Sequence, residues 1–160
     1  MTRTNPGVEL DDRAWRLLLA LQRDGRAALK TLAGAAGLSI AATAERLRRL
    51  QEDGVVRAVA ADVDAAKAGY GVRAIVGITA AQPGKKALLD TLRRAPEVLE
   101  CHHVAGADSY HLMVVARDLG DLERFLGSIN AYGETRTSIV FSTPIPRRGL
   151  VRPGTPRGQP

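Results

Sequence analysis

Apolar residues recur at helical spacing through the first third of the chain and at strand spacing through much of the rest. Leu10, Ala14, Leu17, Leu18 and Leu21 fall three and four residues apart, which predicts an amphipathic helix. Asp11 or Asp12 can cap its start, and Gly25 can stop it. A shorter helix is expected over Ala28–Ala36. Gly37 then supplies a left-handed turn at no steric cost. Ser39 can cap a third helix by accepting a bond from a first-turn N–H. That helix runs to Asp53, and Gly54 terminates it. Its Thr43, Leu47 and Leu50 share one face, which should pack on the first two helices. Ala41, Glu45, Arg48, Arg49 and Glu52 lie opposite, with Arg46 on the flank. A short helix, a tight glycine turn and a helix studded with arginines is the shape of a helix-turn-helix, whose second helix enters the DNA major groove.

Beyond Gly54 the period changes. VVRAVAADVD reads as a strand ending in acids, and Ala65–Gly71 is small and Gly-rich enough for a linker. Val72–Thr79 alternates as a strand does. Gly84–Ala95 reads as a helix with Ala87, Leu88 and Leu92 on one side, closed by Pro96. Val98–Ala105 is a strand, GADS a turn, and Tyr110–Ala116 the hairpin partner. Asp118–Ala131 carries Leu119, Leu122, Phe125, Leu126 and Ile129 as a second helix, and Thr135–Phe141 is a last strand. The order β-α-β-β-α-β is the split βαβ or ferredoxin-like pattern. The expected class is therefore α+β: a (winged) helix-turn-helix joined to a ferredoxin-like domain. The expected divisions are 1–57 for the helical head, 58–71 for a strand and linker, 72–142 for the sheet domain and 143–160 for a flexible basic tail. Two helices on one face of a four-stranded sheet leave the other face open, which predicts a homodimer or larger assembly.

Charge sharpens this picture. The chain of 160 residues carries a net charge of +6. Residues 1–57 hold ten Lys/Arg against seven Asp/Glu, residues 58–142 nine against ten, and residues 143–160 four arginines and no acid. Positive charge at both ends of a near-neutral body suits a polyanionic partner. The last segment also holds five of the eight prolines, so no packed core is expected there. No apolar run reaches the roughly 18 residues of a membrane span. MTRTNPGVELDD has no apolar stretch of a secretory signal, and the single cysteine, Cys101, forms no internal disulfide; a cytoplasmic location is expected.

Four segments in order resemble the Lrp/AsnC, or feast/famine, family of transcriptional regulators. LDDRAWRLLLALQRDGR at Leu10–Arg26 is similar to the family's opening helix, and GLSIAATAERLRRLQEDGVV at Gly37–Val56 to its recognition helix. VLECHHVAGADSYHLMVVA at Val98–Ala116 resembles the effector-domain hairpin, and TRTSIVF at Thr135–Phe141 the TxT strand. The resemblance spans residues 10–142. It implies a double-stranded-DNA-binding head joined to an oligomerising domain that senses an amino acid or related metabolite. It also implies dimers that assemble into tetramers or octamers, with the effector held between dimers. The residues expected to meet DNA are Ser39, Ala41, Ala42, Thr43, Glu45, Arg46, Arg48 and Arg49. The pocket candidates carried over by position are Gly106, Ala107, Asp108, Ser109, Tyr110, Thr135 and Thr137. A Gly-containing turn exposes N–H groups to a carboxylate, and Asp108 is suited to hold an ammonium. Thr135 and Thr137 point to one side of a strand and offer two hydroxyls.

The chain departs from the family in three places. Ser109 stands where the turn often has an acid, and Ala14 where the first helix usually has one. Ala41 and Ala42 replace polar residues at the start of the recognition helix. A methyl can touch thymine but forms no bidentate hydrogen bond, so base readout shifts to Glu45, Arg48 and Arg49, and to DNA shape.

Other chemistry finds less support. Of Cys101, His102 and His103, only the first and third share a strand face, and two ligands do not close a metal site. No catalytic triad, P-loop or GxGxxG can be assigned. No catalytic residue, metal or cofactor is expected. Two alternatives carry different consequences. A sirohaem-decarboxylase-like enzyme of the same fold would rely on His102, His103 and His111 and would bind sirohaem with a visible spectrum. An effector-sensing oligomer without DNA binding would show no salt-dependent DNA affinity.

Overall fold

The computed structural model describes residues 8–156 and divides into two compact units. One runs to Ala61 and takes in the segment from Pro146 onward; the other is Asp62–Ile145.

The helical unit contains α1 (Asp12–Arg23), α2 (Leu29–Ala36) and α3 (Ile40–Glu52). Asp11 is the cap of α1, its carboxylate accepting from the Ala14 N–H at 2.8 Å. The helix stops at Asp24 rather than Gly25. Asp24 is extended, and its side chain accepts from the Arg26 N–H at 2.8 Å; Gly25 follows, where an added Cβ would come 2.7 Å from Val59 Cγ1. Gly37 closes α2 at φ 64°, with its own N–H on Gly34 and the Leu38 N–H on Ala33. Only glycine enters this region without strain. Ser39 caps α3 by accepting from the Ala42 N–H at 3.2 Å, and Gly54 follows its end at φ 70°. Leu17, Leu18, Leu32, Ala36 and Leu50 form the core, flanked by Trp15, Leu47 and Val56.

Residues 57–64 are exposed and form no strand, contrary to the alternation of VVRAVAADVD. Alternation makes a strand only where a second strand completes the ladder, and among the described residues none lies against it. The tail also differs from expectation. Leu150 is clasped by Gln22 of α1: the Leu150 N–H donates to Gln22 Oε1 at 2.6 Å, and Gln22 Nε2 donates to the Leu150 carbonyl at 3.0 Å. Arg152 pairs with Asp12. Arg157, the fourth tail arginine, lies outside the described residues.

The sheet unit contains β1 (Val72–Ala80), α4 (Lys85–Arg94), β2 (Val98–His103), β3 (Tyr110–Ala116), α5 (Leu119–Ile129) and β4 (Gly133–Ile139). Its four strands run antiparallel in the order β2-β3-β1-β4, as the ferredoxin-like pattern requires. Ala74, Val76 and Ile78 of β1 and Leu112 and Val114 of β3 bury one sheet face against Leu88, Leu92, Leu122, Phe125 and Ile129. Alternation sends Ile75, Gly77, His111, Met113 and Arg136 to the opposite face, which no element of this unit covers. A short 3-10 turn, Asn130–Tyr132, ends α5 early and starts β4 at Gly133, two residues before the expected Thr135.

Candidate nucleic-acid interface and effector site

The exposed face of α3 is built by what the opposite face buries. Thr43 is fully buried, and its hydroxyl donates to the Ser39 carbonyl at 2.9 Å. It therefore serves the helix start and the core, and it is withdrawn from the expected DNA-contacting set. Ala41 and Ala42 are exposed, and so is Ile40, at 52%. Arg46 reaches back to Asp11 at the start of α1, which fixes α3 on α1. Arg48 and Arg49 stay on the outward face. Neither is a lone cation. Arg48 donates to both Glu45 oxygens, at 3.0 and 2.7 Å, and to Glu52; Arg49 donates to Glu45 at 2.8 Å.

This network neutralises the centre of the presented face. Hydrogen bonds from Arg48 and then Arg49 lower the Glu45 carboxyl from 4.5 to about 2, and the bonds to Glu45 and then Glu52 hold Arg48 protonated beyond its usual range. A carboxyl whose folded pKa is depressed adds stability that is complete above its ordinary value and is lost as pH falls through the folded one. The wild type should thus lose more stability than Glu45→Gln between pH 4.5 and about 2. Urea unfolding across that window checks this; equal acid sensitivity in both would refute it. The groups are exposed, so added salt should shrink the difference.

The second candidate site lies on the open sheet face at the β2–β3 turn. Asp108 sits over Gly77, where an added Cβ would come within 2.8 Å of its Cγ. Its carboxylate accepts from Arg136 Nη1 at 2.9 Å and the Thr79 hydroxyl at 3.3 Å, and bonds His111 Nε2 at 3.1 Å. The His111 bond is the main influence holding this carboxyl below its usual range, against a partial burial that raises it. Asp108 is therefore already engaged by three partners within one chain rather than standing free for an ammonium. It instead orients Arg136 and His111. Ser109 latches the turn to β1, accepting from the Ala80 N–H at 3.2 Å.

The pocket candidates do not converge in one chain. Gly106 and Ala107 are exposed in the turn, and Asp108 lies on the open face. Tyr110 is only 6% exposed and belongs to the core, against His103 at 5.1 Å between ring centroids. Thr135 and Thr137 pair with the core residues Ile78 and Val76, so they face the helical side, where Thr135 donates to Asn130 at 3.2 Å. Arg136, His111, Thr79 and Gly77 were not anticipated at this site. Arg136 was legible in principle: two threonines on one face of TRT put the arginine on the other. Register also separates Cys101 and His103 from His102, which pairs across to His111. Among the described residues no group of three His, Cys, Asp or Glu is disposed to hold a metal. A shallow cleft of about 340 Å³, lined by Tyr70, Pro96, Arg117, Asp121 and Arg124, had no sequence signal; Arg117 and Arg124 both close on Asp121 there.

A glycine-turned helix pair joined to an antiparallel βαββαβ unit defines a DNA-binding regulator with a sensing domain. Known proteins supply the family. Residues 10–57 match the winged helix-turn-helix DNA-binding model, and residues 73–150 the Lrp/AsnC ligand binding domain. The HTH-type transcriptional regulator AldR of Mycolicibacterium smegmatis is 34% identical over 140 residues, covering 83% of this chain and 82% of that protein. LrpA of Mycobacterium tuberculosis is 37% identical over 137 residues, covering 84% and 91%. The structure of the M. tuberculosis feast or famine regulatory protein complexed with L-methionine matches with a TM-score of 0.82 at 35% identity, over 90% of this chain and 100% of that one. The chain belongs to the Lrp/AsnC family of transcriptional regulators.

Proposed function

We propose that this regulator binds duplex DNA through α3 and changes its assembly when an amino acid or related metabolite binds. The observation that carries the reading is the outward face of α3, set by the Gly37 turn and held on α1 by the Arg46–Asp11 pair. Residues 1–57 act as the DNA-binding head, 58–71 as the linker, and 72–142 as the sensing and oligomerising domain. Ser39 and Ala42 approach the DNA backbone through the helix start, Ala41 offers a methyl, and Glu45, Arg46, Arg48 and Arg49 divide base and phosphate contacts. Two copies join through their open sheet faces, and dimers associate further. The effector lies at the exposed Gly106–Ala107 turn and the Asp108–Arg136 pair, with Ser109 bracing the turn; Thr137, across the sheet on the helical side of β4, stands outside this group. A ligand shifts such an assembly only by its differential affinity for the two arrangements. No chemistry is catalysed. As a regulator of transcription the protein works in the cytoplasm. Among the described residues no helix is long and apolar enough to cross a membrane.

The test is binding to a duplex from the region upstream of the protein's own gene, titrated with salt and repeated with a panel of amino acids. Replacing Arg48 and Arg49 with alanine should weaken binding and flatten the salt slope, by roughly 0.9 for each of the two that neutralises a phosphate. An unchanged slope sinks the assignment of α3. No salt-dependent binding by the wild type would favour the effector-sensing oligomer instead.

A further inference from the structure

Asp11 occupies Arg46, and Glu45 and Glu52 occupy Arg48 and Arg49, so the face that α3 presents has little free charge. Residues 1–57 as a whole hold only three more basic than acidic residues. The segment from Pro146 belongs to the same compact unit and brings arginines without a single acid. Arg147 and Arg148 are exposed and have no acidic partner among the described residues. They stand immediately before Gly149 and Leu150, the residues seated on Gln22.

We infer that the segment Pro146–Thr155 is a clasped arm of the helical unit that grips the phosphate backbone of the duplex that α3 reads. The inference rests on the DNA-binding reading above. Two features argue for an arm rather than a loose tail. The Gln22 amide closes a two-bond ring with the Leu150 peptide, using donor and acceptor together. Arg152 covers Asp12, a carboxylate that would otherwise repel phosphate from the start of α1. With its anchor in place the arm holds Arg147 and Arg148 beside the head before DNA arrives, so less ordering is lost on binding. Phosphate contacts carry no sequence information, so the arm supplies affinity and leaves base selection to α3.

The experiment uses the full chain and a random-sequence duplex between about 50 and 200 mM salt. Arg147→Ala with Arg148→Ala should lower the salt slope by about 1.8, so that the wild type loses roughly tenfold more affinity than the variant across that range. Gln22→Ala keeps every charge; it should weaken binding severalfold with the slope nearly unchanged. Circular dichroism of both variants should match the wild type. A wild-type slope in the double variant overturns the arm, and wild-type affinity in Gln22→Ala overturns the clasp. If Arg48→Ala with Arg49→Ala flattens the slope while Arg147→Ala with Arg148→Ala does not, DNA binding by α3 stands and the arm falls alone. If the wild type shows no salt-dependent binding, both readings fall together.

Discussion

A Gly133→Ala variant is expected to lose much of the stability of the sheet unit. Gly133 opens β4 directly against Ala80 of β1, and an added Cβ there would overlap the Thr79 carbonyl oxygen and lie 2.8 Å from its carbon. These are backbone atoms in a ladder, so no rotamer relieves the clash. Either β4 moves off β1 and gives up its first hydrogen bonds, or β1 bows and disturbs Ile78, a fully buried core residue. Overpacking of this kind costs about 3 kcal/mol when nothing can rotate away. Gly127→Ala is the comparison. It lies inside α5, where an added Cβ meets nothing within 4 Å, and should stabilise by about 0.5–1 kcal/mol because alanine loses less entropy in a helix. Thermal unfolding followed by far-ultraviolet circular dichroism should separate the two in opposite directions. A Gly133→Ala variant as stable as the wild type would show that β4 is not held at this distance.

The elements that local rules specify were legible in the sequence. Gly37, Ser39 and Gly54 do what their spacing foretold, because a left-handed turn and an N-cap are set by a few consecutive residues. The strand order followed from the succession of periods. What was not legible depends on partners distant in the chain. Thr43 was expected both on the packing face and among the DNA contacts; packing buries it and the Ser39 carbonyl accepts its hydrogen bond, so only the first expectation holds. Residues 57–64 had strand alternation but no strand to pair with. Leu150 finds Gln22 across 128 positions, a meeting that no window of sequence contains. The effector turn is an intermediate case. Its GADS composition marked a turn, but the Asp108 partners come from β1, β3 and β4, so only the register reveals that the acid is already engaged.

Gly77 follows from that register, and its replacement by alanine should abolish the effector response while leaving DNA binding intact. An alanine Cβ meets the Asp108 side chain at Cγ and, at 3.2 Å, at Oδ1. Here a side chain rather than backbone must yield, so the fold should survive. The cost falls on the carboxylate, which loses its seat, and Arg136 and His111 lose the acceptor that orients them. A guanidinium held by Asp108 at Nη1, with Glu134 3.5 Å from Nη2, presents its remaining N–H groups in a defined direction, and that geometry is what the carboxylate of an amino-acid effector would match. Asp108→Ala should reproduce the loss by removing the acceptor outright. Thr137→Ala separates two positions of the pocket, since Thr137 lies on the other side of the sheet from Asp108. The measurement is the thermal shift produced by each of a panel of L-amino acids, with DNA affinity in the absence of effector as the control. The expected result is a shift in the wild type, none in Gly77→Ala or Asp108→Ala, and equal basal DNA affinity in all three. A shift lost only in Thr137→Ala would place the ligand on the helical side of β4. Wild-type responses in both Gly77→Ala and Asp108→Ala would remove the Asp108–Arg136 pair from the effector site.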